Sequence, residues 1–126
     1  MSHFVSIQTQ IKDIESLQSA CAELGFGFDK DGQARGIGTQ QHGDYVIRLK
    51  GPCDIAVQRQ ADGTFGLSTD WWDGHVEKEV GAKYGRLLQL YAVHKTTREA
   101  RRRGLRIQRN ALANGTIKLV LTGGTL

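Results

Sequence analysis

Proline is almost missing from this chain, with Pro52 the only one among 126 residues. It stands beside Gly51, where the pair closes a strand-like run. Cysteine is nearly as scarce. Cys21 and Cys53 set up no disulfide framework, and without further cysteines beside them the spacings of zinc sites are absent. Both are expected to be inert thiols, Cys21 as a small hydrophobe on a helix face and Cys53 in a turn or at a strand start. A reducing, cytosolic-type compartment is the expectation that follows. No apolar run approaches the roughly 20 residues of a membrane-spanning helix, and no stretch reads as a secretory signal or transit peptide. Catalytic signatures are missing as well: the chain has no Walker A loop, no GxSxG elbow, no HExxH helix and no dinucleotide fingerprint. The glycine-rich stretch 32–43 lacks the Gly-Lys-Ser/Thr of a phosphate cradle. A non-enzymatic protein without cofactor or bound metal is the expectation.

What is present is an ordinary globular composition, 39% hydrophobic and 24% charged, in one domain spanning residues 1–126. Residues 3–11 alternate, with Val5, Ile7, Thr9 and Ile11 on one side, which predicts a half-buried strand. Asp13 is placed to cap a helix carrying Ile14, Leu17, Cys21 and Leu24 at helical spacing, and Gly25 stops it. A short strand over 26–29 leads to an Asp31-Gly32 turn, and 32–43 reads as a mobile loop or weak, irregular strand. Three strands follow around Tyr45–Leu49, Ile55–Val57 and Phe65–Thr69. The last two are joined by Asp62-Gly63, a two-residue hairpin signal.

The chain is organised around residues 71–104. A long helix is predicted from about Val76 to Arg103, with Val80, Tyr84, Leu87, Leu88 and Tyr91 as its apolar stripe and Gly104 as its stop. Gly81 and Gly85 within it suggest either close approach of another backbone or a looser first turn. Beyond it, Leu105, Ile107 and Arg109 alternate, Asn114-Gly115 turns the chain, 116–121 forms a last strand, and Gly123-Gly124-Thr125 is a frayed tail. Too few helices are available for alternating parallel units. The expected fold is therefore α+β, a two-layer sandwich of about six to seven antiparallel or mixed strands with two helices on one face.

Three groups of side chains invite a functional reading. Residues 95–109 hold Lys95, Arg98, Arg101, Arg102, Arg103, Arg106 and Arg109 against Glu99 alone. This segment is +6 in a chain of net +4, so the remainder is −2 and any electrostatic partner should dock at one patch. The same cluster also suits the negative end of a helix dipole, and a solvated helix end is the alternative. No aromatic rings interleave with these cations, as a platform for single-stranded nucleic acid would require. Trp71 and Trp72 form the second group. Adjacent residues at a strand end point to opposite faces, so one indole should pack under the helix and the other stay partly exposed; both covering the core edge is the alternative. Asp70, Asp73, His75, Glu77 and Glu79 form the third, explained by capping and dipole complementarity ahead of metal binding or acid–base chemistry. His94 is expected to be packed or hydrogen-bonded, and His3 and His42 have no evident partner.

Several stretches are similar to one family. Met1-Ser2-His3-Phe4 with the run Ile7 to Asp13, the stretch Gln89 to His94 with Glu99-Ala100 and Gly104, and Asn114 to Val120 together resemble the uncharacterised plastid and cyanobacterial family named hypothetical chloroplast reading frame thirty-five, which has relatives in other bacteria. The resemblance covers most of the chain and is weakest at 30–75. It implies an accessory or adaptor role, with an AAA-type ATPase or a small ferredoxin-like protein as partner, in the cytoplasm or in the plastid stroma if plastid-encoded. It carries over no catalytic residue. The expected function is thus protein binding through Trp71, Trp72 and the basic residues Arg98, Arg101, Arg102, Arg103 and Arg106. The alternative is a nucleic-acid-binding module built on the basic segment.

Overall fold

The computed structural model describes residues 3–123. Its elements are β1 (Val5–Gln8), α1 (Ile14–Glu23), β2 (Gly27–Arg35), β3 (Gln40–Arg48), β4 (Ile55–Arg59), β5 (Phe65–Thr69), α2 (His75–Val80), α3 (Gly85–Arg102), β6 (Leu105–Ala111) and β7 (Ile117–Gly123). Short 3-10 turns at Trp72–Gly74 and Ala82–Tyr84 precede α2 and α3. The fold is α+β, with its strands divided between a five-stranded sheet in the order β1-β5-β4-β3-β2 and a separate β6-β7 ribbon. Every pairing is antiparallel.

The helices cover one face of the five-stranded sheet. Leu17, Ala20 and Cys21 of α1, Val76 and Val80 of α2, and Leu87, Leu90 and Tyr91 of α3 share one core with Ile47, Ile55, Val57, Phe65 and Leu67. Asp13 caps α1 through its side chain, accepting from the Glu15 N–H at 3.2 Å. At the other end Gly25, at φ 80°, closes α1 with bonds from Phe26 N to Cys21 O (2.9 Å) and Gly25 N to Ala22 O (3.1 Å), a Schellman arrangement. The Tyr91 hydroxyl of α3 accepts from Lys12 N and Asp13 N at 3.0 and 3.1 Å, tying the start of α1 to the middle of α3.

The structure departs from the sequence reading in four places. The first strand is only Val5–Gln8 and is exposed along its whole length, because it is an outermost strand beside which the helices leave open hollows; the buried Ile11 lies beyond its end. Residues 32–35 and 40–43, expected as a mobile loop or a weak, irregular strand, are paired strand in the far half of the long β2–β3 hairpin, with 36–39 as its turn; one register runs from Gly27↔Arg48 to Arg35↔Gln40, interrupted only at Asp31 and Asp44. Asp31, at φ 56°, marks a bend, and beyond it the hairpin folds back over the helix-free face of the sheet. There Ala34 packs with Val46 and Ala56, Ser68 Oγ donates to Gln41 Oε1, and Gln58 donates to the His42 carbonyl. Glycines suit this strap because its backbone lies flat on β4: a Cβ on Gly43 would meet the Cα of Ala56 at 3.2 Å.

The β4–β5 turn is the third departure. It has three central residues, Ala61-Asp62-Gly63, closed by Gln60 N to Thr64 O at 2.8 Å, with Gly63 at φ 87°. The fourth is the long helix, which is broken into α2 and α3. Gly81 adopts φ 84°, ψ 168°, and Lys83 and Tyr84 adopt φ 53° and 63°, conformations that no right-handed helix can contain. Among the described residues, neither glycine receives another backbone from elsewhere in the fold. A Cβ on Gly85 would meet nothing within 4 Å, and one on Gly81 would meet the neighbouring Arg86. Of the expected frayed tail, Gly123 ends β7, and Gly124 and Thr125 lie outside the described residues, as do Met1 and Ser2.

Candidate functional site

The two tryptophans divide as their adjacency predicts. Trp71 is partly buried, packs against the core and meets the Tyr84 ring edge-on at 4.8 Å. Trp72 is 49% exposed, its indole 6.0 Å from the His75 ring. Asp70 sets this corner. It is buried, and it accepts from Trp72 N at 3.0 Å and from Ile37 N at 2.9 Å, which pins the tip of the β2–β3 strap to the end of β5.

Beside the corner lies a groove of about 590 Å³, lined by Ile7, Trp71, Gly74, Glu77, Lys83 and Tyr84. Ile7 also lines a second hollow of about 340 Å³ with Leu88, Tyr91 and Ala92 of α3. The two hollows flank the same side of β1, the side of Val5 and Ile7, whose register partners Thr69 and Leu67 are buried in the sheet. Val5 and Ile7 are 44% and 37% exposed. Sequence periodicity predicted burial for both, since alternation cannot reveal that a strand is outermost. Tyr84 closes the first groove with its side chain buried, and its hydroxyl has no hydrogen-bond partner among the described residues.

The basic segment lies at the opposite end of α3. An 18-residue helix spans about 27 Å, so the Trp corner and the arginines are separate surfaces rather than one contact. Two of the cations are committed to the fold. Arg98 reaches α1, donating to Glu15 at 3.2 Å and to Ser19 Oγ at 2.9 Å, and Arg109 donates to Glu23 at 2.8 Å. Glu23 also pairs with His94 at 2.8 Å. Hydrogen bonds from Arg109, then from His94, hold the Glu23 carboxyl below its ordinary range against the opposing effect of burial. Arg101, Arg102, Arg103 and Arg106 are exposed and make no ion pair among the described residues.

The acidic turn does not gather into a chelating site. His75 lies 3.7 Å from Asp73, and Glu79 turns away to accept from Lys50 N and Gly51 N at 2.7 and 3.0 Å. Among the described residues no group of three or more His, Cys, Asp or Glu is placed to hold a metal ion. Burial pushes the Cys21 thiol up to about 12 and also raises that of Cys53, which favours the protonated thiol over the reactive thiolate at both.

An ionic hub centred on a buried carboxylate, not foreseen from sequence, holds the strap. Asp54 is fully buried and accepts from Arg35 Nε and Nη2 at 2.8 Å, from Arg48 Nη1 at 3.0 Å, and from the backbone of Arg35 and Leu49. Burial pushes the Asp54 carboxyl up, but the hydrogen bonds from Arg35 and Arg48 outweigh it and hold the group below its ordinary value. With every acceptor position used by the fold, the hub is a structural clamp.

No curated protein and no solved structure matches the chain. A family profile described as "protein of unknown function (DUF1257)" matches residues 20–120, which run from the last turn of α1 through the strap, α2 and α3 to β6 and the start of β7. With about four-fifths of its length matched, the chain belongs to the DUF1257 family.

Proposed function

We propose that this protein is a small non-enzymatic accessory protein that binds an extended segment of a partner protein along β1. The observation carrying this reading is the contrast between the two edges of the five-stranded sheet. The β2 edge bears Asp29, Lys30 and Asp31, charges that discourage a further strand, whereas Val5-Ser6-Ile7-Gln8 bears none. An edge strand leaves backbone N–H and C=O groups unpaired, and a partner strand would satisfy them. The hollows on either side of Ile7 would take that strand's alternate side chains, so the fitting segment is uncharged with apolar residues at every second position. Trp72, exposed beside the groove, supplies an aromatic anchor of the kind enriched at interface hot spots.

The family resemblance supports an AAA-type ATPase or a small ferredoxin-like protein as the partner supplying this segment. On the same footing the chain falls in the plastid and cyanobacterial branch and acts in the cytoplasm, or in the stroma where plastid-encoded. No helix of the described residues is long and apolar enough to cross a membrane.

A displayed library of random linear peptides tests the reading. Selected binders should alternate apolar residues, slow hydrogen exchange of the Val5–Gln8 amides, and lose at least tenfold in affinity to Ile7→Lys, a change at an exposed site that should leave the melting temperature in place. Trp72→Ala should weaken the same peptides. Binders indifferent to both substitutions would remove the β1 edge as the site.

A further inference from the structure

The chain beyond Glu99 contains no acidic residue and, after Tyr91, no aromatic one. It nevertheless carries Arg101, Arg102, Arg103, Arg106, Arg109 and Lys118. This stretch is the end of α3 and the β6–β7 ribbon, which pairs with no other strand among the described residues. The ribbon has two unlike faces. Register places Leu105, Ile107, Leu119 and Leu121 on one side, where Ile117 packs against the main core and Arg109 reaches Glu23. The other side presents Arg106, Gln108 and Asn110 opposite Thr122, Val120 and Lys118. All six are exposed or half-exposed, and none is a carboxylate.

We propose that this face, together with Arg101, Arg102 and Arg103 at its base, binds double-stranded DNA with the ribbon in the major groove. A two-stranded ribbon, its strands about 4.8 Å apart, fits a groove about 12 Å wide. The side chains offered are those that read base edges there: Arg for guanine, Gln and Asn for adenine, and an aliphatic group such as Val120 for a thymine methyl. The three consecutive arginines lie immediately before the ribbon, where the phosphates bordering a groove would pass. The absence of aromatic rings argues against single strands, which are held by stacking. A-form RNA is excluded because its major groove is too narrow for side chains to read. An acidic protein segment would answer the charge but not the amides. This surface is distinct from the β1 edge, so either assignment can fail without the other.

Fluorescence anisotropy of the full chain with a labelled mixed-sequence DNA duplex, single strand and RNA duplex, across a salt series, tests the proposal, with polyglutamate as competitor. The DNA duplex should bind tightest, and each phosphate contact should contribute about 0.9 to the slope of log affinity against log salt. Arg101→Ala, Arg102→Ala and Arg103→Ala combined should lower that slope by about 2–3 with the melting temperature retained. Gln108→Ala with Asn110→Ala should leave the slope unchanged while flattening sequence preference in a selection from random duplexes. Tighter binding of single strands or of RNA, displacement by polyglutamate at equal charge concentration, or an unchanged slope in the triple variant would each overturn the proposal.

Discussion

Tyr84 combines a left-handed backbone, at φ 63°, with a buried hydroxyl that has no hydrogen-bond partner among the described residues. Burial alone pushes its pKa up, so the group is neutral at all ordinary pH. An unsatisfied buried hydroxyl destabilises, while the ring stacks edge-on against Trp71 and fills the floor of the groove. Tyr84→Phe keeps the ring and removes the orphan, so it should hold or raise the melting temperature, by up to about 1 kcal/mol of stability. A loss of stability in thermal denaturation would mean the hydroxyl has a partner. Tyr91 is the opposite case: its hydroxyl accepts two backbone N–H groups, and removing it would leave both exposed to the cost of burial without a partner.

At the scale of elements, the strap formed by the far half of β2–β3 is the feature that lets a sheet with helices on one face bury both. Its close seating depends on Gly43, where a side chain would strike the Tyr45 carbonyl and the β4 backbone, neither able to move aside. Gly43→Ala should therefore cost about 1–3 kcal/mol in chemical denaturation, in the range of overpacked cores. Gly85→Ala is the matched control. Nothing lies within 4 Å of the added carbon and the backbone there is right-handed, so it should be neutral to stabilising by up to about 1 kcal/mol. The break between α2 and α3 uses glycine differently, since it is the positive φ of Gly81, not close packing, that ends α2 ahead of the turn carrying Lys83 and Tyr84 into the groove.

For the whole molecule, Asp54 clamps the strap to the sheet and Asp13 caps α1, and both carboxyls are held below the ordinary 3.8. In each case burial raises the value and hydrogen bonds outweigh it: from Arg35 and Arg48 at Asp54, from Ser16 and the backbone of Ser16 and Glu15 at Asp13. A folded value below the unfolded one gives stability that is complete above the unfolded pKa and lost as pH falls through the folded one. The melting temperature should be flat from pH 7 to about 5 and fall steeply below about 4. Asp54→Asn should cost about 1–3 kcal/mol at neutral pH, because a buried amide cannot accept all the hydrogen bonds the carboxylate does while both guanidinium groups keep access to solvent, and should flatten the acid limb. An unaltered acid limb in this variant would assign the pH dependence elsewhere.

Local signals in the sequence were sufficient wherever structure depends on near neighbours. Asp13, Gly25 and Gly104 cap their helices, and the meander, the final hairpin and the α+β class all follow from periodicity and turn residues. Near-neighbour rules also divided Trp71 from Trp72. Tertiary structure alone decided which strand is outermost, and so why the alternating Val5 and Ile7 are exposed. It also decided that a glycine-rich stretch is a strap, because glycine there permits contact with a backbone distant in sequence. The same holds for the arginines: a charge cluster is visible in one dimension, but which cations are consumed by Glu15 and Glu23 depends on how α1, α3 and β6 pack. Periodicity records the neighbours a residue has along the chain, whereas exposure and ion pairing depend on neighbours that only folding supplies.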